Sequence, residues 1–123
     1  MPKSPKDSSE PIDRVSLWER VEGDQELLTE IIHLFQENAP RLLSAMRDAL
    51  QSGDMATLER TAHSLKGAMS NLSANAAAAT AQQLESDAKN NNVESATENI
   101  AEVERAVKQL LQVLMEVCQE VSK

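Results

Sequence analysis

Apolar positions recur along this chain at spacings of three and four, the period of one face of an α-helix. The longest stripe runs Leu28, Ile31, Ile32, Phe35, Ala39, Leu42, Leu43, Met46 and Leu50. Asp24 stands ahead of it as an N-cap, Leu27 begins it, and Ser52-Gly53 ends it. Pro40 falls inside the stripe, where its ring crowds the carbonyl of Gln36 and its nitrogen donates nothing. The stripe stays in phase across Pro40, so one kinked helix is expected rather than two. Upstream, Val15, Leu17, Trp18 and Val21 suit a short opening helix that stops at Gly23. Downstream, Asp54 caps a helix whose inward stripe is Leu58, Ala62, Leu65, Met69 and Leu72. A break at Asn71 to Asn75 leads to an alanine-rich helix, Ala76 to Lys89, anchored by Leu84. An Asn90-Asn91-Asn92 turn precedes the last helix, which carries Ile100, Val103, Val107, Leu110, Leu114, Val117 and Val121.

One short helix and four long ones with short connections predict an all-α fold: an up-down four-helix bundle with a short additional N-terminal helix, over residues 12–123. Met1 to Pro11, with three prolines, three serines and charges of both signs, reads as a disordered tail or linker. The run Ala76 to Ala79 reads first as helix propensity, although small side chains also let helices approach closely.

Composition sharpens this picture. With one Trp, one Phe and no Tyr, the core must be built from aliphatic residues and Met, which suits helices better than a sandwich. Met46, Met55, Met69 and Met115 read as core or boundary filler. No apolar run is long enough to span a membrane, and no signal segment opens the chain. The single cysteine, Cys118, excludes an internal disulfide and suits a reducing cytosol; it falls on the flank of the last stripe and reads as inert. The net charge of −8 argues against nucleic acid or an anionic membrane surface as partner.

Two histidines are candidates for chemistry. At about 100° per residue, His63 points roughly 140° from the inward direction of its helix, Gly67 about 180°, Ser70 about 120° and Lys66 about 80°. The imidazole therefore projects into solvent beside a nearly bare turn. A glycine within a helix costs about 1 kcal/mol relative to alanine. An outward-facing one is explained by close approach from outside rather than by packing. Neutral imidazole is a competent nucleophile, and phosphoryl transfer asks chiefly for alignment and charge compensation. Lys66, one turn from His63, can offset phosphoryl charge. Glu85, on the next helix, is the candidate to hold the other ring nitrogen and fix the tautomer. His33, opposite its own stripe with no glycine or basic neighbour in the next turn, reads as an ordinary surface residue. No metal-ligand spacing stands out: Glu59 and His63 share a helix face, but a third ligand is missing.

The segment Ala62-His63-Ser64-Leu65-Lys66-Gly67 resembles the H-x-(I/L)-K-G signature of histidine-containing phosphotransfer (HPt) domains. The likeness extends through Gly23-Asp24, Glu26-Leu27-Leu28, Phe35, Pro40, Leu43, Ala49-Leu50, Asp54, Leu58, Asn71-Leu72, Ala74 and Leu84-Glu85, covering about residues 12–114. It implies phosphorylation at Nε2 of His63, by a receiver-domain aspartate, with onward transfer to another receiver. Lys66 would stand beside the phosphoryl group and Glu85 at Nδ1. Gly67 would give clearance for the receiver, with Ser70, Arg60, Ser64 and Asn71 around it in the docking surface. Mg²⁺ and the acceptor aspartate belong to the receiver in this family, so no cofactor is expected on the chain itself and it is no enzyme alone.

The departures are Ser70 and Ser73, where glycine is common, and Met69, where a small residue is common. Met69 should alter packing, Ser70 the fit of a receiver, and Ser73 is expected to cap the alanine-rich helix. Two other roles compete: the kinase-loaded domain of a chemotaxis-type kinase, and a non-phosphorylated adaptor for which His63 is dispensable. A cytoplasmic monomer is expected. The linker-like opening favours the terminal domain of a membrane-anchored hybrid sensor kinase over a free-standing protein.

Overall fold

A computed structural model describes residues 12–121. The expected tail Met1 to Pro11, the last two residues and the side chain of Val121 lie outside that description. Five helices follow in order: α1 (Arg14–Arg20), α2 (Gln25–Ser52), α3 (Met55–Asn71), α4 (Asn75–Lys89) and α5 (Val93–Val121), with no strand among the described residues.

Local chemistry sets most of the boundaries. Asp13, Asp24 and Asp54 each accept a backbone N–H three residues on, from Ser16, Leu27 and Thr57, all at 3.1 Å. Caps of this kind are each worth about 1 kcal/mol. Asn92 serves α5 in the same way, accepting from Ser95 N at 3.1 Å. Gly53 ends α2 at φ 76°, a left-handed conformation that glycine adopts without steric cost. Helix α2 continues unbroken across Pro40.

Helix α3 packs on α4, α4 on α5, and α2 on both α3 and α5. The enclosed core includes Ile32, Met46, Leu58, Leu65, Met69, Leu84, Leu110 and Leu114, all fully buried. Ala77, Ala78, Ala81 and Ala88 are buried along α4, so small side chains also serve close helix packing there. Cys118 is half-buried, and burial raises its thiol pKa, which disfavours the reactive thiolate.

Four details depart from expectation. Helix α4 begins at Asn75, one residue early. Leu27, the first residue of the long stripe, is exposed, because α2 turns it outward at its first turn. Met115 is also exposed: it lies on the outer side of α5 rather than at the core boundary. Ser73 does not cap α4, whose N-cap residue is Ala74 and carries no side-chain cap bond. Ser73 instead sits buried at φ 57° just beyond α3. Its carbonyl accepts from Asp13 N at 3.0 Å and its hydroxyl accepts from Arg20 Nε at 3.0 Å. The same hydroxyl lies 3.1 Å from Ser16 Oγ. These bonds tie α1, with its buried Leu17 and the buried Ile12 and Val21 that flank it, to the α3–α4 turn.

Candidate functional site

His63 lies midway along α3, where the burial of Ala62 and Leu65 turns position 63 outward. Its side chain keeps 66% of its accessible surface. One turn later, a Cβ built on Gly67 would meet nothing within 4 Å. No packing contact inside the molecule therefore requires a glycine there.

Helix α4 supplies the other half of the site. Glu85 Oε2 lies 3.1 Å from His63 Nδ1, and Glu85 Oε1 accepts from Lys66 Nζ at 2.7 Å. The Lys66 bond is the chief cause that holds the Glu85 carboxyl below its ordinary value of 4.5; burial opposes it, and His63 adds to it. An ionised carboxylate can only accept, so this contact favours the ring tautomer that carries its proton on Nδ1. Glu85 itself is only 17% exposed, so this anchor sits in the α3–α4 groove while the imidazole it holds projects outward.

Gln82 was not singled out from the sequence, and it belongs to the site: its Oε1 accepts from Lys66 Nζ at 2.8 Å. Three residues toward the α3–α4 turn on α3 are matched by three on α4. The pairs His63–Glu85 and Lys66–Gln82 thus follow from one antiparallel register. Once Glu85 is placed opposite His63, that register carries a signal for Gln82.

Of the other candidates, Arg60, Ser64, Gly67 and Asn71 are exposed on α3 and Ser70 is half-buried. Arg60 Nη2 donates to Thr57 Oγ1 at 3.2 Å within its own helix. His33 is exposed on α2, apart from this constellation. Glu59 is half-buried one turn before His63. Among the described residues no group of three or more His, Cys, Asp or Glu side chains is placed to hold a metal ion. None of the helices described is long and apolar enough to cross a membrane.

Among the described residues, an all-helical scaffold presents an exposed histidine that Glu85 meets at Nδ1, with Lys66 and the bare Gly67 on the following turn. The family model of the Hpt domain matches residues 30–116, and the chain belongs to that family. Histidine-containing phosphotransfer protein B (HptB) from Pseudomonas aeruginosa PAO1 is similar in structure, with a TM-score of 0.71. The two share 30% sequence identity over 86% of this chain and 90% of that one. No curated protein sequence matches.

Proposed function

We propose that this chain relays phosphoryl groups in a two-component phosphorelay, with His63 as the residue that is loaded and unloaded. Membership of the Hpt family and the likeness to a phosphotransfer protein support the relay. The observation that carries the assignment to His63 is the Glu85 contact at Nδ1, which frees Nε2 of this exposed imidazole.

In this reading Nε2 attacks the phosphorus of a receiver's aspartyl phosphate in line. The P–N bond forms as the P–O bond breaks, and the aspartate leaves as a carboxylate. The Nδ1 proton stays on the ring, where Glu85 balances the positive charge that the imidazole gains. Lys66 offsets charge on the phosphoryl oxygens. The reverse sequence unloads His63 onto a second receiver. Mg²⁺ and the acceptor aspartate are assigned to the receiver, so the chain supplies a nucleophile and leaving group and is not a catalyst alone.

The docking surface proposed for the receiver centres on Gly67 and includes Arg60, Ser64, Ser70 and Asn71. Leu27 and Leu34 extend it onto α2. They are exposed and seven residues apart, hence on one side of that helix. Arg47, on the opposite flank of α2, pairs with Glu104 of α5. By helix geometry the two leucines lie about 140° or more around α2 from Arg47, away from the flank that pairs with α5. The cyclic packing of α2 to α5 and the short connections favour an up-down four-helix bundle with α1 as an addition. The proposal includes a monomeric unit that works in the cytoplasm, alone or attached to a hybrid sensor kinase.

The test is to mix the protein with Mg²⁺ and receiver domains carrying labelled phosphate, beside a His63→Gln variant. Acid-labile, base-stable label on the wild type and none on the variant is expected. Equal label on both would remove His63 from the relay. Loading only by a kinase domain would point to a chemotaxis-type phosphotransfer domain, and silence with every donor to an adaptor.

A further inference from the structure

Lys66 is held from two directions, by Glu85 Oε1 at 2.7 Å and by Gln82 Oε1 at 2.8 Å. The two acceptors lie one turn apart on α4, and His63 pairs with Glu85 rather than with Gln82. Gln82 therefore draws the ammonium toward the α3–α4 turn, away from the imidazole. Glu85 occupies the Nδ1 end of the ring, whereas a phosphoryl group would stand on Nε2. A phosphoryl group on Nε2 would compete with both present acceptors for the ammonium. The bond to Glu85 joins opposite charges and that to Gln82 ends on a neutral amide, so the Gln82 bond is the weaker and yields first.

We propose that Gln82 is a positioning residue: it retains the Lys66 ammonium in the unphosphorylated protein and thereby sets how phosphoryl groups partition between His63 and the receiver. The proposal rests on the reading of His63 as phosphoryl acceptor and adds no covalent step to it. Loss of the Gln82 acceptor raises the energy of the unphosphorylated state alone, so it favours the loaded carrier. Orientation of Lys66 toward the phosphoryl group, the alternative role, would have the opposite effect, because removing Gln82 would then weaken the loaded state.

The experiment reads the equilibrium ratio of phosphorylated carrier to phosphorylated receiver with Mg²⁺ present. It compares the wild type, Gln82→Met, Lys66→Met and the double variant. Methionine keeps the stem and volume of Gln82 and removes the acceptor. Gln82→Met is expected to raise the ratio about three- to tenfold, the effect of one hydrogen bond to a charged group at a partly exposed site. In the Lys66→Met background the same substitution is expected to be silent, as a double-mutant cycle requires if Gln82 acts through Lys66. A ratio that stays level or falls on Gln82→Met overturns the proposal. So does an effect that survives in the Lys66→Met background.

Phosphoramidate, a small donor that needs no receiver, separates this proposal from the reading beneath it. A wild type that takes label neither from phosphoramidate nor from any receiver removes His63 as acceptor, and the Gln82 proposal falls with it. Normal loading of every variant with identical partition ratios overturns the role of Gln82 alone.

Discussion

The two nitrogens of His63 face different surroundings. Nδ1 meets a carboxylate in the α3–α4 groove, while the side chain as a whole keeps 66% of its accessible surface. Two predictions belong to this scale. The depressed pKa of Glu85 means that the folded state binds its proton less readily than the unfolded chain. Its stabilising contribution is therefore present above the ordinary glutamate range and is lost as pH falls through the lower, folded value. Glu85→Gln should accordingly cost about 0.5–1 kcal/mol in urea melts at pH 7, the worth of a good but partly solvated ion pair. That difference should close as the pH is taken below the ordinary glutamate range; an undiminished difference there would contradict the Lys66–Glu85 pairing. At Gly67, open space around the built Cβ means that alanine fits without displacement. Gly67→Ala should stabilise the fold by about 0.5–1 kcal/mol through helix propensity, and slow loading from receivers while leaving phosphoramidate loading unchanged. A melting curve and the two loading rates check this.

Much of the site could be read at the residue scale because helix periodicity and chemical type are local properties. His63, Lys66 and Gly67 lie within five residues, and their directions follow from the stripe around them. Gln82 was missed because its role exists only in the register of two helices, which the length of the intervening turn decides. The sequence confined that turn only to the broken stretch between Asn71 and Asn75.

Among the elements, the same division between local and distant chemistry recurs. Asp24, Gly53 and Asp54 act on backbone groups within a few residues, so their capping roles could be read from sequence. Ser73 could not be read in this way. A serine just before an alanine-rich helix suits a cap, yet its partners Ser16 and Arg20 lie more than fifty residues earlier in the chain. Asp87 is a second case. It is buried, and its carboxylate accepts from Gln83 Nε2 at 3.0 Å, Ser95 Oγ at 3.0 Å and Asn99 Nδ2 at 2.6 Å. This cluster fastens α4 to the first turns of α5, on the helix that also holds Gln82 and Glu85. Asp87→Ala should cost about 2–3 kcal/mol, because it removes the buried, charged acceptor that three side-chain donors share. Amide exchange should quicken first around residues 87–99, and transfer per folded molecule should change little. Uniform destabilisation without local opening would contradict the fastening role.

Over the whole molecule, the all-helical class was legible because few arrangements satisfy such a pattern. Four amphipathic helices with short connections bury their stripes by packing side by side, and the contacts of α2 to α5 close on themselves. Long-range detail was less legible, as Met115 shows: an apolar residue at the edge of a stripe can face solvent at little cost. The acidic balance of the chain accompanies a surface on which the apolar Leu27 and Leu34 remain exposed, beside a helix that offers no bulk at Gly67. On the proposed function, these features serve to present one ring nitrogen to a visiting receiver.

The most direct test of that description is nitrogen-15 and phosphorus-31 NMR of the histidine-labelled protein after phosphorylation. The account predicts phosphorus coupled to Nε2 of His63, with Nδ1 protonated and its signal perturbed by Glu85→Gln. Phosphorus on Nδ1, or on His33, would contradict it.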